Sequence, residues 1–166
     1  DEEKGAADIS LGLPISRSSY LLTRIMSSLT ILLFAGCSFF ITLAIGSRIL
    51  EMSISIARFA IASLCLTLLG VLMLTIASTL GALTGKRSVA LGVSMSIAIA
   101  MFLMYSLAPL VDFLDPTTTF NPMQWTIGSQ PLAQGLSVGY TVATIVTSLV
   151  FFASSFQLFE RRDIAG

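Results

Sequence analysis

Apolar and polar positions along this chain separate into long blocks. Residues 25–47, 59–85, 88–111 and 136–159 contain no Asp, Glu, Lys, Arg or His. A helix needs about 20 apolar residues to cross the hydrocarbon layer, so each block is long enough. The expected spans are about 25–47, 59–83, 89–111 and 136–159. The first linker, RILEMSISIAR over 48–58, is charged at both ends and in its middle. Its alternation from Met52 to Ile56 has the period of a strand, but an open strand edge cannot sit in lipid. An interfacial turn or loop is therefore expected. The second linker is tight and carries Lys86 and Arg87. The third, 112–135, is the longest; it holds Pro116, Pro122, Pro131 and the lone tryptophan, Trp125. Its apolar residues Phe120, Met123, Trp125 and Ile127 place it at the headgroup level, dipping inward as short broken helices. Trp125 reads as an interface aromatic.

The stretch before the first block, residues 1–24, is different in kind. Asp1, Glu2, Glu3 and Asp8 crowd its start, and Pro14 interrupts it. Ala6, Ile9 and Leu13 recur at helical spacing and make one apolar stripe. Proline disfavours continuing that helix, and Ser16 suits the N-cap of the next. The pattern predicts a short amphipathic helix, a break, and a helix that enters the membrane. Such a leader is either a docking device or an interfacial strap. The residues alone leave both open.

Composition agrees with the pattern. Hydrophobic residues make up 55% and charged residues 11%, with mean hydropathy +0.91. Soluble domains carry about 25% charged residues, and one of this length cannot bury so much apolar surface in a single core. The chain is an all-α membrane protein of one domain, 1–166. Net charge is formally zero, so no basic field points to nucleic acid. Lys and Arg set the orientation. With four spans both ends share one side, which collects Lys4, Arg17, Arg24, Lys86, Arg87, Arg161 and Arg162. The other side has Arg48 and Arg58 around Glu51, and an acidic long loop. Both ends are expected to be cytoplasmic, with 112–135 extracellular.

Catalytic chemistry finds little to work with. Histidine is absent, which removes the commonest general base and metal ligand. Ionisable groups at depth drive proton-coupled carriers and intramembrane enzymes, and the four blocks have none. Cys37 and Cys65 lie inside apolar blocks and read as free packing thiols. Hydroxyls such as Thr30, Thr67, Thr75, Ser94 and Thr144 are expected to bond back to helix carbonyls or across helices. Gly81/Gly85 and Gly135/Gly139 have the four-residue spacing that permits close helix approach. The segment GALTGKRS looks like a phosphate loop but has three residues between its glycines and Arg87 after its lysine. The nucleotide motif needs four, and Ser or Thr after the lysine. Any ATP is therefore bound by another chain.

Three pieces, EEKG…LGLPISRSSYL, GALTGKRSVA and FERRDI, together resemble the permease subunits of ABC-2 type exporters. The resemblance covers the whole chain, mapped onto the C-terminal two-thirds of such a permease. It implies that the first two spans of a six-span permease are missing here. It also implies that the leader is a cytoplasmic coupling helix, carried by Glu2, Glu3, Gly5, Leu11, Pro14, Ile15, Ser16 and Arg17. Ala6 and Gly12 depart from the residues usual there. On this likeness Glu2, Glu3, Gly5, Ile9, Leu11, Leu13, Pro14 and Arg17 form the contact with an ATP-binding subunit. That subunit would hold the ATP and Mg, and this chain would need no cofactor. The expected partners are that subunit, a second permease copy and the bilayer. The expected location is the plasma (inner) membrane of a prokaryote, and the cargo lipophilic or amphipathic. The rival readings are a membrane scaffold or anchor without a transport path, and a small secondary carrier.

Overall fold

The computed structural model describes residues 17–111, 113 and 115–161, with the backbone alone for 17–21, 115 and 159–161. Four long helices carry the architecture: α1 (Arg17–Ile49), α2 (Ile56–Thr84), α3 (Arg87–Leu107) and α4 (Val138–Arg161). All four contain stretches long and apolar enough to span a membrane. Among the described residues there is no strand. The region from Met52 to Ser55 is a short irregular loop, so its strand-like alternation yields to the rule that backbone groups near lipid be satisfied within helices.

Helix boundaries follow local chemistry. Between α2 and α3 the chain turns at Gly85, whose φ of 65° and N–H bond to the Gly81 carbonyl form a left-handed C-cap. Glycine takes that conformation without a Cβ penalty. At the other end of α3 the sequence block runs to Val111, but the α-helix stops at Leu107. Ala108–Leu110 form a 3-10 turn, because Pro109 has no N–H for the next helical bond and its ring clashes with the preceding turn. α1 is longer than its block, beginning at Arg17.

α2 lies at the centre. It packs against α1, α3 and, most extensively, α4. Its sequence is apolar on every face. Most of the buried apolar residues lie on it, among them Phe59, Leu69, Leu72 and Ile76, while Leu64, Leu66 and Leu83 are exposed. Large exposed residues are commoner on the apolar part of α1, such as Ile31, Phe34 and Ile45, and on α3, such as Met95 and Ile99. In water these faces would be a liability; in lipid they are the expected outer surface.

Two contacts set the registers. A Cβ built on Gly70 would lie 2.7 Å from Leu32 Cδ1, and one on Gly36 would collide with Thr67 Oγ1. The pairs 36/67 and 32/70 run in opposite directions along the chain, so α1 and α2 are antiparallel. α2 and α4 are parallel: Arg58 near the start of α2 reaches the Leu132 and Ala133 carbonyls just before α4, and further along the Thr79 hydroxyl, on the Thr75 and Phe151 carbonyls at 2.8 Å, bridges them. The same offset of 72 residues brings Leu72 level with Thr144, and both are fully buried. Further hydroxyls along α4, Ser148 and Ser155, are buried and bond back to Thr144 and Phe152 carbonyls. Small hydroxyl residues let the two backbones approach while their polar atoms stay satisfied.

The glycine pairs read from the sequence behave otherwise. Gly81 does face α3, 3.9 Å from Ala90 Cβ to a built Cβ, but Gly85 is a cap. Gly135 has a φ of 87° in a turn, and nothing lies near Gly139. The close approach belongs to Gly36 and Gly70, because proximity depends on which helix faces meet and not on spacing alone. Both cysteines are free, with Cys65 buried and Cys37 exposed.

Candidate functional site

The expected contact residues Glu2, Glu3, Gly5, Ile9, Leu11, Leu13 and Pro14 lie outside the described residues. Arg17 is the first residue of α1. From there the helix continues without interruption to Ile49, 33 residues or about 50 Å at 1.5 Å per residue. Whatever precedes Arg17 is thus joined to a single stiff rod. The rod meets α2 at Gly36 and Thr67.

The second built feature is the segment between α3 and α4. It forms a single helical turn, Asp115–Thr118, and then a short helix whose later part, Gln124–Gly128, has π geometry. Short broken helices are the expectation for 112–135; of the two, Gln124–Gly128 packs against α2 and α4, and Asp115–Thr118 against the end of α3. Asn121 holds them there. It is 5% exposed, its Nδ2 donates to the Met101 carbonyl of α3 at 2.8 Å, and its Oδ1 accepts from Met123 N at 3.0 Å. The latter bond is an N-cap, and Pro122 occupies the following position, where a missing N–H costs nothing. Met101 is six residues before Leu107, so the anchor lies about 9 Å below the end of α3. Buried Thr126 bonds back to the Pro122 carbonyl, and Trp125 Nε1 donates to the Thr119 carbonyl at 2.7 Å. Trp125 is half-buried, its indole N–H satisfied by that bond.

Arg58 ties the far end of this segment. Its Nη1 donates to the Leu132 carbonyl at 3.2 Å and to the Ala133 carbonyl. In the sequence Arg58 counted against the expected orientation. In the folded chain its guanidinium instead holds the turn before α4 onto the start of α2. Arg58→Gln should lower unfolding stability in detergent by about 0.5–1.5 kcal/mol, since both bonds are exposed and water competes for them. Arg58→Lys should fall between, since an ammonium lacks the planar fork. An unchanged thermal midpoint for Arg58→Gln would show that the tether is idle.

Beside the short helix, a cleft of about 600 Å³ opens against the end of α3. Tyr105, Ser106, Thr118, Gln124 and Gln130 supply its polar lining. Sequence reading singled out neither Asn121, nor a tether at Arg58, nor this cleft. The Asn-Pro pair was the one local signal available, an N-cap followed by a favoured first helical residue.

The hydroxyls inside the spans mostly follow the expected pattern. Thr30, Thr67, Ser78, Ser94 and Thr144 bond to carbonyls four residues earlier, and Thr75 to one three residues earlier. Ser63 Oγ is buried with no partner. No group of His, Cys, Asp and Glu that could hold a metal occurs among the described residues. Comparison with curated proteins and with solved structures finds no match. The family model described as "ABC-2 family transporter protein" matches residues 1–164, with the whole four-helix bundle inside the match. The chain therefore belongs to the ABC-2 transporter family and is a multi-pass membrane permease component of an ABC transporter.

Proposed function

We propose that this permease couples ATP hydrolysis by a separate subunit to export of a lipophilic or amphipathic cargo. The observation that carries the reading is the unbroken α1, which makes residues before Arg17 a handle on a rod that crosses the bundle. The start of α1, the Lys86–Arg87 turn and the end of α4 lie at one end of the bundle by the registers of α1, α2 and α4. That end carries most of the basic residues, which favours a cytoplasmic location. Arg58 is committed to the turn before α4, so it weighs less as contrary evidence. In this reading Glu2, Glu3, Gly5, Ile9, Leu11, Leu13, Pro14 and Arg17 dock on the ATP-binding subunit, which holds ATP and Mg. Pro14 acts as the elbow between the docked helix and α1. The bundle works in a prokaryotic plasma membrane beside a second permease copy, and its apolar surface with scattered hydroxyls suits a greasy cargo.

Copurification tests the docking. Deletion of residues 1–17 should abolish recovery of the ATPase subunit while the permease still reaches the membrane. Charge or proline substitution at Ile9 or Leu13 should leave insertion intact and reduce cargo-stimulated ATPase toward its basal rate. Stimulation equal to that of the unmodified chain would remove the docking role and favour a scaffold.

A further inference from the structure

We propose that the cleft between the end of α3 and the short helix holds the uncharged, hydroxyl-rich headgroup of an amphipathic lipid. Its described polar lining, Tyr105, Ser106, Thr118, Gln124 and Gln130, contains no charged side chain. Two amides and three hydroxyls offer donors and acceptors together, the complement of a polyol or sugar. An ionic headgroup would find no described counter-charge in the lining, and leaving a charge unpaired in a partly enclosed site is costly.

The Gln124 amide lies over Gly128, where an added Cβ would come within 2.5 Å of the amide carbon and displace it. Gln130 sits at a φ of 51°, a left-handed conformation uncommon outside glycine, and its Oε1 accepts from Gln134 Nε2 at 3.3 Å. Leu110, which follows lining Pro109 in the chain, is 79% exposed, and Phe120, two residues beyond lining Thr118, is 81% exposed. Polar lining residues with large exposed apolar residues one and two positions away suit the two parts of an amphipathic lipid. Whether that lipid is cargo or a bilayer constituent rests on the exporter reading; its place in the cleft does not.

Trp125, the only tryptophan, follows Gln124 in the chain and reports on the cleft. The full chain in phosphatidylcholine nanodiscs would receive brominated glucosyl diacylglycerol in one series and brominated phosphatidylglycerol in another. Glucosyl lipid should quench Trp125 at a several-fold lower mole fraction. Tyr105→Phe and Gln124→Leu should each weaken that effect about three- to tenfold, the loss of one hydrogen bond. Tyr105→Phe removes a single oxygen and keeps the packing, so it guards against a folding defect in the second variant. Equal quenching by both lipids, stronger quenching by the anionic one, or unchanged variants would overturn the assignment. The ATPase complex then separates the sources. Stimulation by glucosyl lipid identifies cargo. Quenching without stimulation supports a bilayer-lipid site and counts against that cargo, while leaving the leader's docking to its own test.

Discussion

Replacing Asn121 with leucine should destabilise the bundle by about 2–4 kcal/mol, because two hydrogen bonds disappear and a buried donor is left behind. Asn121 is 5% exposed and bridges two elements: its amide nitrogen reaches the Met101 carbonyl, and its oxygen caps Met123 N. Leucine keeps the branching and heavy-atom count but adds bulk, so part of the loss is overpacking, and the aspartate variant separates out the polar role. The Met101 carbonyl sits within α3 and keeps its place in the helix; Met123 N has no other bond among those described. The short helix should therefore lose both its cap and its mooring. Hydrogen exchange over 119–130 should accelerate together with the fall in unfolding free energy. Asn121→Asp retains the acceptor but cannot donate to Met101 while ionised, so it should rescue the cap and not the mooring. Slow exchange in the leucine variant would mean that packing of Pro122 and Thr126 alone holds the segment.

The second large effect is expected at Gly36. A Cβ there meets Thr67 Oγ1 well inside contact distance, and Thr67 Cβ and Cγ2 at 3.4 Å. Threonine cannot rotate freely away, because it is β-branched and its hydroxyl is bonded to the Ser63 carbonyl at 2.7 Å. Gly36→Ala should cost about 1–3 kcal/mol by overpacking, forcing α1 away from α2. Thr67→Ala in the same chain removes the obstructing atoms, and the double variant should regain most of the loss. A strictly additive double-mutant cycle would show that the two residues do not meet. The corresponding change at Gly70 should be milder, since its neighbour is the mobile tip of Leu32 at 2.7 Å. Within the proposed function, Gly36→Ala also reports on transmission: loosening α1 from α2 should weaken ATP-driven transport more than ATPase-subunit binding.

These two sites show how legibility falls off along the chain. The spans were readable because lipid demands runs of uncharged residues, a requirement each segment meets or fails alone. The basic turn at Lys86 and the proline-rich segment before α4 were readable for similar local reasons. The hydroxyls too behaved as expected, since back-bonding to a carbonyl one turn earlier lies within a single helix. Gly36 and Gly70 carried no comparable mark. They lie 34 residues apart on different helices, and nothing near either one encodes the other. Gly81/Gly85 had the more suggestive spacing, yet Gly85 is spent on a left-handed cap.

Arg58 and Asn121 mark the same boundary for polar residues. One looked like a charge to be counted toward orientation, the other like part of a loop. Their partners, the Leu132 and Ala133 carbonyls and the Met101 carbonyl, are far along the chain or on another helix. The leader's proposed contacts are legible only through likeness to a family, because a docking face takes its meaning from the groove that receives it.

By itself the sequence determined that this chain is a set of membrane helices, where they run, and which end gathers positive charge. Hydrophobicity and charge act residue by residue against a solvent that is the same for every span. Only the tertiary structure decided that α2 is the central helix, that Gln124–Gly128 packs against α2 and α4, and that a cleft with polar residues in its lining opens beside it. Those outcomes depend on shape complementarity and hydrogen bonds between distant residues, which arise once the helices are brought together.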